Sequence, residues 1–308
     1  MAETESLHCI ELPSGATVDV VRQVFGSKEG PRIVFVAGIR GDTPEGIRLA
    51  HRLGQFLATC EKQLKGRVEI FPCVNPLAAE QGMRKWPFFN VDLNRLFPGK
   101  MDGHPPSQVA FRLVEEVKGA DFVIELRGAR PGFSEIPQAL VREGDEKSSQ
   151  IAQWGNVQLV WERKPGLVAK KTFAYQFPHT IILEGGRGNQ LTKGVGEILF
   201  EGCLHILSRL EVLPEDLLPF PWMTIEEPIT KNDESIFKLR SNRAGLFLPA
   251  VSIGAVVEEG SEIGKVIDPA NGSVREVIIS PEKGRMIAVR IQPVVSAGVM
   301  VARLCGGQ

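Results

Sequence analysis

Short apolar runs alternate with amphipathic stretches along the first two thirds of the chain. Continuous apolar runs of strand length occupy residues 32–38, 67–74, 121–126 and 180–183. An apolar run without alternation is typical of a strand that is buried on both faces of a parallel sheet. This part of the chain is therefore predicted to form a three-layer α/β domain with a mostly parallel sheet.

Helical periodicity lies between these runs. Thr43 suits the N-cap and Pro44 the first position of a helix whose apolar residues from Leu49 to Cys60 share one face. The same reasoning predicts helices over residues 107–118, 148–155 and 191–213, a strand over 157–161, and an N-terminal hairpin over 7–12 and 17–25 around Pro13-Ser14-Gly15. Prolines and glycines make residues 129–147 loop-like in this prediction.

The pattern changes after residue 213. Residues 214–222 contain three prolines and are predicted to be a linker that ends the α/β domain of residues 1–213. Residues 223–308 consist of short apolar strands punctuated by glycine and are predicted to form a β-barrel or sandwich module. Their glycine-turn pattern resembles that of lipoyl-type modules but lacks the lysine of a carrier, so we interpret this module as structural.

Composition narrows the class of protein. The formal net charge of −1 predicts neither nucleic-acid nor membrane binding, and no apolar run approaches the length of a membrane span. The acidic N-terminus lacks the features of a signal peptide. The five scattered cysteines, with no CxxC pair, are expected to be reduced. We therefore expect a cytoplasmic protein.

Candidate chemistry lies where the predicted strands end, because ligands of open α/β sheets bind outside the carboxyl ends of the strands. Arg40, Arg127 and Glu184 follow three such strands. Residues 75–99 add Arg84, Asn94 and Arg95, and forked guanidinium donors suit an anionic ligand. The alternative is a solvated loop in which these arginines pair with Asp92 and other carboxylates.

Three motifs identify a family resemblance. They are the G-I-x-G-D loop after the first buried strand, the D-L-N-R-x-F-P-G block of residues 92–99, and the later E-G-G. Together they resemble the succinylglutamate desuccinylase/aspartoacylase family, over nearly the whole chain. The resemblance implies a zinc-carboxypeptidase-like fold and hydrolysis of N-acyl amino acids. It also implies zinc held by an H-x-x-E loop and by a histidine of a D-L-H strand end.

The substrate side of this family pattern is retained. Arg84, Asn94 and Arg95 stand where the family binds the substrate carboxylate, and Glu184 stands where it has its general base. The zinc side differs. Arg40 and Thr43 replace the histidine and glutamate of H-x-x-E, and Arg127 replaces the second histidine.

A guanidinium has no lone pair to offer a metal, so the resemblance predicts no zinc and no other cofactor. Arg40 and Arg127 are expected to bind the anionic ligand instead. One alternative is a metal site rebuilt from other residues, among which Asp42, Glu125 and His104 are the candidates. Another is that Glu184 forms a buried ion pair with Arg40 or Arg127, and that Thr43 acts only as an N-cap.

Three functions are consistent with these residues. The first is a catalytically silent or metal-independent homologue, a candidate pseudoenzyme, that binds an N-acyl amino acid or other anionic small molecule. The second is a deacylase with an unconventional metal site. The third is an interaction protein with a vestigial pocket, and a homo-oligomer is left open as a further alternative.

Overall fold

The computed structural model describes residues 3–12, 14–219 and 227–307. Within these ranges the chain forms five α-helices and seventeen β-strands. The helices are α1 (Pro44–Cys60), α2 (Pro76–Glu80), α3 (Pro105–Val117), α4 (Glu146–Ala152) and α5 (Lys193–Arg209). The strands are β1 (Glu3–Glu11), β2 (Thr17–Gly26), β3 (Arg32–Ala37), β4 (Arg67–Phe71), β5 (Phe122–Leu126), β6 (Phe133–Arg142), β7 (Leu159–Arg163), β8 (Thr180–Arg187), β9 (Ile229–Asn232), β10 (Ile236–Arg240), β11 (Gly245–Pro249), β12 (Val256–Val257), β13 (Glu262–Ile267), β14 (Val274–Ile279), β15 (Gly284–Arg290), β16 (Val294–Val295) and β17 (Met300–Gly306).

The predicted fold class is confirmed: an α/β body with one large sheet, and a separate antiparallel sheet from the C-terminal part. The large sheet has the strand order β1-β2-β4-β3-β5-β8-β6-β15-β17-β10, and β7, β9 and β12 branch from it. Its centre, β4-β3-β5-β8, is parallel. The smaller sheet has the order β14-β13-β11-β16.

Helices cover both faces of the parallel centre. On one face α1, α4 and α5 pack against a core that includes Phe35 of β3 and Ile124 of β5. On the other face α3 packs against Val34 and Val36 of the same strand, β3. Because alternate residues of β3 enter different cores, the strand is apolar throughout, which explains the continuous run in the sequence.

Helix α1 begins where predicted. Pro44 occupies its first turn and Thr43 is the N-cap residue, but the Thr43 side chain makes no capping hydrogen bond. Its hydroxyl donates instead to the backbone carbonyl oxygen of Arg40 at 3.0 Å. Thr43 therefore stabilises the loop that presents Arg40.

The prediction of a loop over residues 129–147 is wrong. Strand β6 occupies Phe133–Arg142 and pairs with β8, β7 and β15. Pro137 lies at an irregularity in the β6–β8 register between Glu135 and Gln138. A bulge is one of the few places where a sheet accepts proline, so Pro137 interrupts the sequence pattern without ending the strand.

Strand β8 is also longer than predicted and runs through the E-G-G segment to Arg187. Glu184 is therefore held on a strand, rather than in the loop that follows one. Its position next to β6 is fixed by the pairing of Gln138 with Glu184.

Strands from residues 227–307 contribute to both sheets. In the large sheet β15 pairs with β6, and β17 lies between β15 and β10. The predicted linker of residues 214–222 includes a short 3-10 turn at Glu215–Leu217, whereas residues 220–222 and Pro13 of the predicted hairpin turn lie outside the described residues. The division of the chain into residues 1–213 and 223–308 stays a prediction.

The five cysteines are all unpaired, and three of them, Cys60, Cys203 and Cys305, are buried. Among the described residues, no helix combines the length and the apolar character that crossing a membrane requires.

One buried histidine makes stability depend on pH. Burial of His205 on α5, together with nearby Arg209, lowers the pKa of His205 from 6.5 to about 4. The unfolded chain therefore binds this proton more readily, and stability falls as the pH drops from 6.5 towards 4. We expect His205 to account for a loss of about 2 kcal/mol between pH 7 and pH 5.

Urea denaturation at both pH values measures this effect. A His205→Leu variant should show the smaller loss of stability on acidification, whereas His51→Leu, which removes an exposed histidine of α1, should behave like the unmodified protein. Equal losses in the unmodified protein and in His205→Leu would contradict the assignment.

Candidate anion-binding site

A cavity of about 220 Å³ lies against the sheet face formed by β6 and β8. The segment of residues 163–178 and the loops that carry Arg40 and Arg95 complete its wall. The basic side chains that line it are Arg40, Arg95, Arg127, Arg142, Arg163 and Lys164. No Asp or Glu is among the described lining residues, so the lining of the cavity is cationic.

The sequence-predicted arginines fall into two groups. Arg40, Asn94, Arg95 and Arg127 all line the cavity. Arg84 does not, because its guanidinium pairs with Asp92 at 2.8 Å. For Arg84 the structure thus matches the alternative of a loop arginine held by a nearby carboxylate.

Arg127 is anchored by a buried carboxylate two residues earlier on the same strand face. Its Nε and Nη2 donate to the two oxygens of Glu125 at 2.5 and 2.6 Å. Burial acts to lower the pKa of Arg127, but Glu125 outweighs burial and the pKa lies above its usual value. Arg127 therefore remains charged, and its orientation is fixed before any ligand arrives.

Glu184 lies beside this pair. One of its oxygens accepts a hydrogen bond from Gln138 Nε2 at 3.0 Å, and the other is 3.9 Å from Arg127 Nη1. Both partners fix the position of the buried Glu184 side chain. Its neighbour Glu135 is buried as well, and burial and Glu184 together raise the pKa of Glu135.

Arg40 is a cation without such an anchor. Its Nε is buried and has no hydrogen-bond partner among the described residues. Burial, and then the charges of Arg127 and Arg84, lower the pKa of Arg40 to about 10. A buried guanidinium that lacks an acceptor is costly, so it marks a place where an anion would be stabilised.

Asn94 and Arg95 are positioned by the 3-10 turn at Leu93–Arg95. Asp92 caps this turn by accepting a hydrogen bond from the Asn94 backbone at 3.0 Å. The Asn94 side-chain oxygen accepts from the backbone N–H of Phe173 at 2.9 Å, which leaves its amide nitrogen for the cavity. Asn94 therefore also connects the segment of residues 163–178 to the 3-10 turn.

Sequence reasoning missed the far end of the cavity, where Arg142, Arg163 and Tyr175 lie. The guanidinium of Arg142 is 4.5 Å from the centre of the Tyr175 ring, and burial raises the pKa of that phenol. Arg142 follows Leu140 and Gln138 at every second position of β6, and a loop over residues 129–147 hides this strand periodicity.

Two of the three candidates for a rebuilt metal site have other partners. Glu125 pairs with Arg127, and His104 Nδ1 accepts a hydrogen bond from the Ser107 backbone at the start of α3. Asp42 is buried, and burial raises the pKa of its carboxyl. Across the described ranges, no three His, Cys, Asp or Glu side chains are grouped so that they could hold a metal ion.

Comparison with known proteins gives three kinds of match. Residues 29–160 match the model of the succinylglutamate desuccinylase/aspartoacylase catalytic domain. A relative from Halomonas elongata, N-alpha-acetyl-L-2,4-diaminobutyric acid deacetylase, is 26% identical over 276 residues, which cover 86% of this chain and 79% of the relative.

Two solved structures share the fold. A succinylglutamate desuccinylase/aspartoacylase from Rhodobacter sphaeroides superposes with a TM-score of 0.82 at 19% identity, covering 96% of this chain and 92% of the other. The product-bound ectoine utilization protein EutE from Ruegeria pomeroyi gives a TM-score of 0.80 at 20% identity, with the same coverage of 96% and 92%. At these identities the likeness establishes the fold alone.

Proposed function

We propose that the cavity binds an anionic small molecule of the N-acyl amino acid class, and this proposal is supported by the match of residues 29–160 to the succinylglutamate desuccinylase/aspartoacylase catalytic domain and by the similarity to a deacetylase. Arg40, Asn94, Arg95 and Arg127 are the residues that face this ligand. The observation that carries the proposal is the cationic lining of the cavity, in which the buried Nε of Arg40 has no acceptor among the described residues.

In this proposal no zinc ion is bound at the three positions where the family has its zinc ligands, here Arg40, Thr43 and Arg127. A guanidinium offers no lone pair, and zinc in proteins takes imidazole, carboxylate or thiolate donors. Arg127 is already bound by both oxygens of Glu125, and the Thr43 hydroxyl donates to the Arg40 carbonyl oxygen. The side chains at the three positions therefore do not fit a zinc ion, and their two positive charges take its electrostatic place.

The consequence for catalysis concerns Glu184. Without a Lewis acid, attack of water on an amide loses stabilisation of several kcal/mol. In the proposed function Glu184 helps to balance the charge of Arg127, and the protein is a catalytically silent or metal-independent homologue.

A second candidate function is amide hydrolysis, with Glu184 as the base. It is favoured by the Halomonas elongata relative, which is named as a deacetylase. In that case arginines of the cavity would stabilise the oxyanion of the reaction. A third candidate is an interaction protein with a vestigial pocket. Such a protein would bind none of the small anions tested.

Ligand binding and metal content test the proposal together. Thermal shift and calorimetry with succinate, N-acetylaspartate, citrate and phosphate should show saturable stabilisation by at least one of these anions. The neutral diamide of succinate serves as the matched control and should give no shift. Metal analysis of the purified protein should find no stoichiometric zinc.

Each alternative has its own outcome. Stoichiometric zinc together with turnover of N-acetylaspartate, lost in Glu184→Gln, would replace our proposal with the deacylase. No stabilisation by any of the anions would favour the interaction protein.

A further inference from the structure

The cavity has a second polar end, which the proposed function does not use. On β6 and β8, Gln138 pairs with Glu184 and Leu140 pairs with Ile182. Continuing this antiparallel register by two residues places Arg142 opposite Thr180, and both line the cavity. Four residues of strand, or roughly 13 Å, separate Thr180 from Glu184 along β8.

Two donors at this end lack an acceptor. Arg142 Nε and Thr180 Oγ1 are both buried, and neither has a hydrogen-bond partner in the described part of the chain. Thr180 is only 6% exposed. Buried polar atoms are normally satisfied, so an unsatisfied pair facing one cavity indicates a missing oxygen acceptor.

The geometry of Arg142 is fixed independently of any ligand. Its Nη2 donates to the Phe177 carbonyl oxygen at 3.3 Å, and its guanidinium lies 4.5 Å from the centre of the Tyr175 ring. These contacts use Nη2 and one face of the guanidinium, and Nε stays without a partner among the described residues.

The charges nearby leave Arg142 as the cation to be neutralised. Arg163 Nε is 3.8 Å from Asp233, and Lys164 Nζ is 2.7 Å from Glu234. Both therefore have carboxylate partners. An anionic group at Arg142 and Thr180 would complete the charge balance at this end of the cavity.

Apolar side chains lie between the two polar ends. Leu140 and Ile182 form the row of the sheet between the Gln138–Glu184 pair and the Arg142–Thr180 pair, and both line the cavity. A ligand that reached both ends would cover this row with an aliphatic segment.

We infer that Arg142 and Thr180 form a second anion subsite, and that the ligand is a slender dianion whose two anionic groups are joined by an aliphatic chain. The inference rests on the proposed function, because the first anionic group is the one bound near Arg40 and Arg127. The chain must be long enough to cross the Leu140–Ile182 row.

Calorimetry with α,ω-dicarboxylates from malonate to sebacate, each compared with the monocarboxylate of equal carbon number, tests this inference. We expect an affinity optimum at intermediate length, where the dicarboxylate binds at least tenfold more tightly than its matched monocarboxylate. In Arg142→Met the dicarboxylate should lose this advantage, whereas the monocarboxylate affinity should not change. Thr180→Val, which keeps the side-chain shape, should give a partial loss of about threefold.

Arg187→Met is the matched control, because Arg187 is exposed on the same strand and does not line the cavity. It should bind both ligands as the unmodified protein does. Equal affinity of the unmodified protein for the two ligands would overturn the second subsite while the proposed function stood. An equal loss of both affinities in Arg142→Met would overturn it as well. Binding of neither ligand to the unmodified protein would overturn the proposed function and this inference together.

Discussion

Replacing Glu125 with glutamine is expected to lower the free energy of unfolding by about 3 to 5 kcal/mol, because it breaks a buried ion pair from one side. Glu125 is 1% exposed and holds Arg127 through two hydrogen bonds. The remaining carboxylate, Glu184, is 3.9 Å away from Arg127 and also bonds Gln138. Glutamine keeps the shape of the side chain, so the effect isolates its charge.

Urea denaturation at neutral pH measures the loss. The matched control is Glu258→Gln, which removes one member of the exposed Lys283–Glu258 pair at 2.8 Å. An exposed pair of this kind is worth less than about 1 kcal/mol. A loss in Glu125→Gln no larger than in this control would show that Arg127 does not depend on Glu125.

Replacing Arg40 with methionine is expected to weaken anion binding by about 2 to 4 kcal/mol, or roughly 30- to 1000-fold. The same change should stabilise the ligand-free protein by about 1 kcal/mol, because it removes a guanidinium whose buried Nε has no described acceptor. Opposite signs for binding and stability are what a preformed binding residue produces, and a structural residue would lower both.

Calorimetry with the tightest-binding anion and urea denaturation without ligand give the two quantities. Arg40→Lys is the matched variant, since it keeps the positive charge but loses the planar guanidinium that can bind an anion through two hydrogen bonds. It should retain part of the affinity for the anion without the gain in stability. Unchanged binding in Arg40→Met would remove Arg40 from the site. A fall in its stability would assign Arg40 a structural role.

Much of the parallel sheet could be predicted because each of its strands is buried on both faces. This burial produces the continuous apolar run that sequence shows directly. Alternation along a strand also places Glu125 and Arg127 on one face, and the two side chains are in fact bonded. Asn94 and Arg95 of the D-L-N-R block line the cavity, where a local turn positions them, and their role in ligand binding stays a prediction.

The far end of the cavity could not be predicted, for a reason that is not local. Strand β6 contains Pro137, and one of its partners, β15, is about 150 residues later in the chain. No local pattern records such a pairing, and Pro137 makes the segment look like a loop, so the sequence predicts no direction for the Arg142 side chain. Arg84 illustrates another difficulty, because residue type alone does not tell whether an arginine faces a ligand or, as here, a neighbouring aspartate.

The pairing of β15 with β6 also has a consequence for the order in which the protein folds. Strand β6 contributes Arg142 to the cavity, and β7 covers the edge of this half of the strand, whereas the same edge of residues 133–135 is covered only by β15. Arg303 of β17 lies 3.7 Å from Glu135 of β6, so part of the charge balance behind the cavity arrives later still. During synthesis the half of β6 that carries Arg142 can pair with β7 and β8, whereas the half that carries Glu135 keeps one edge unpaired until β15 is made.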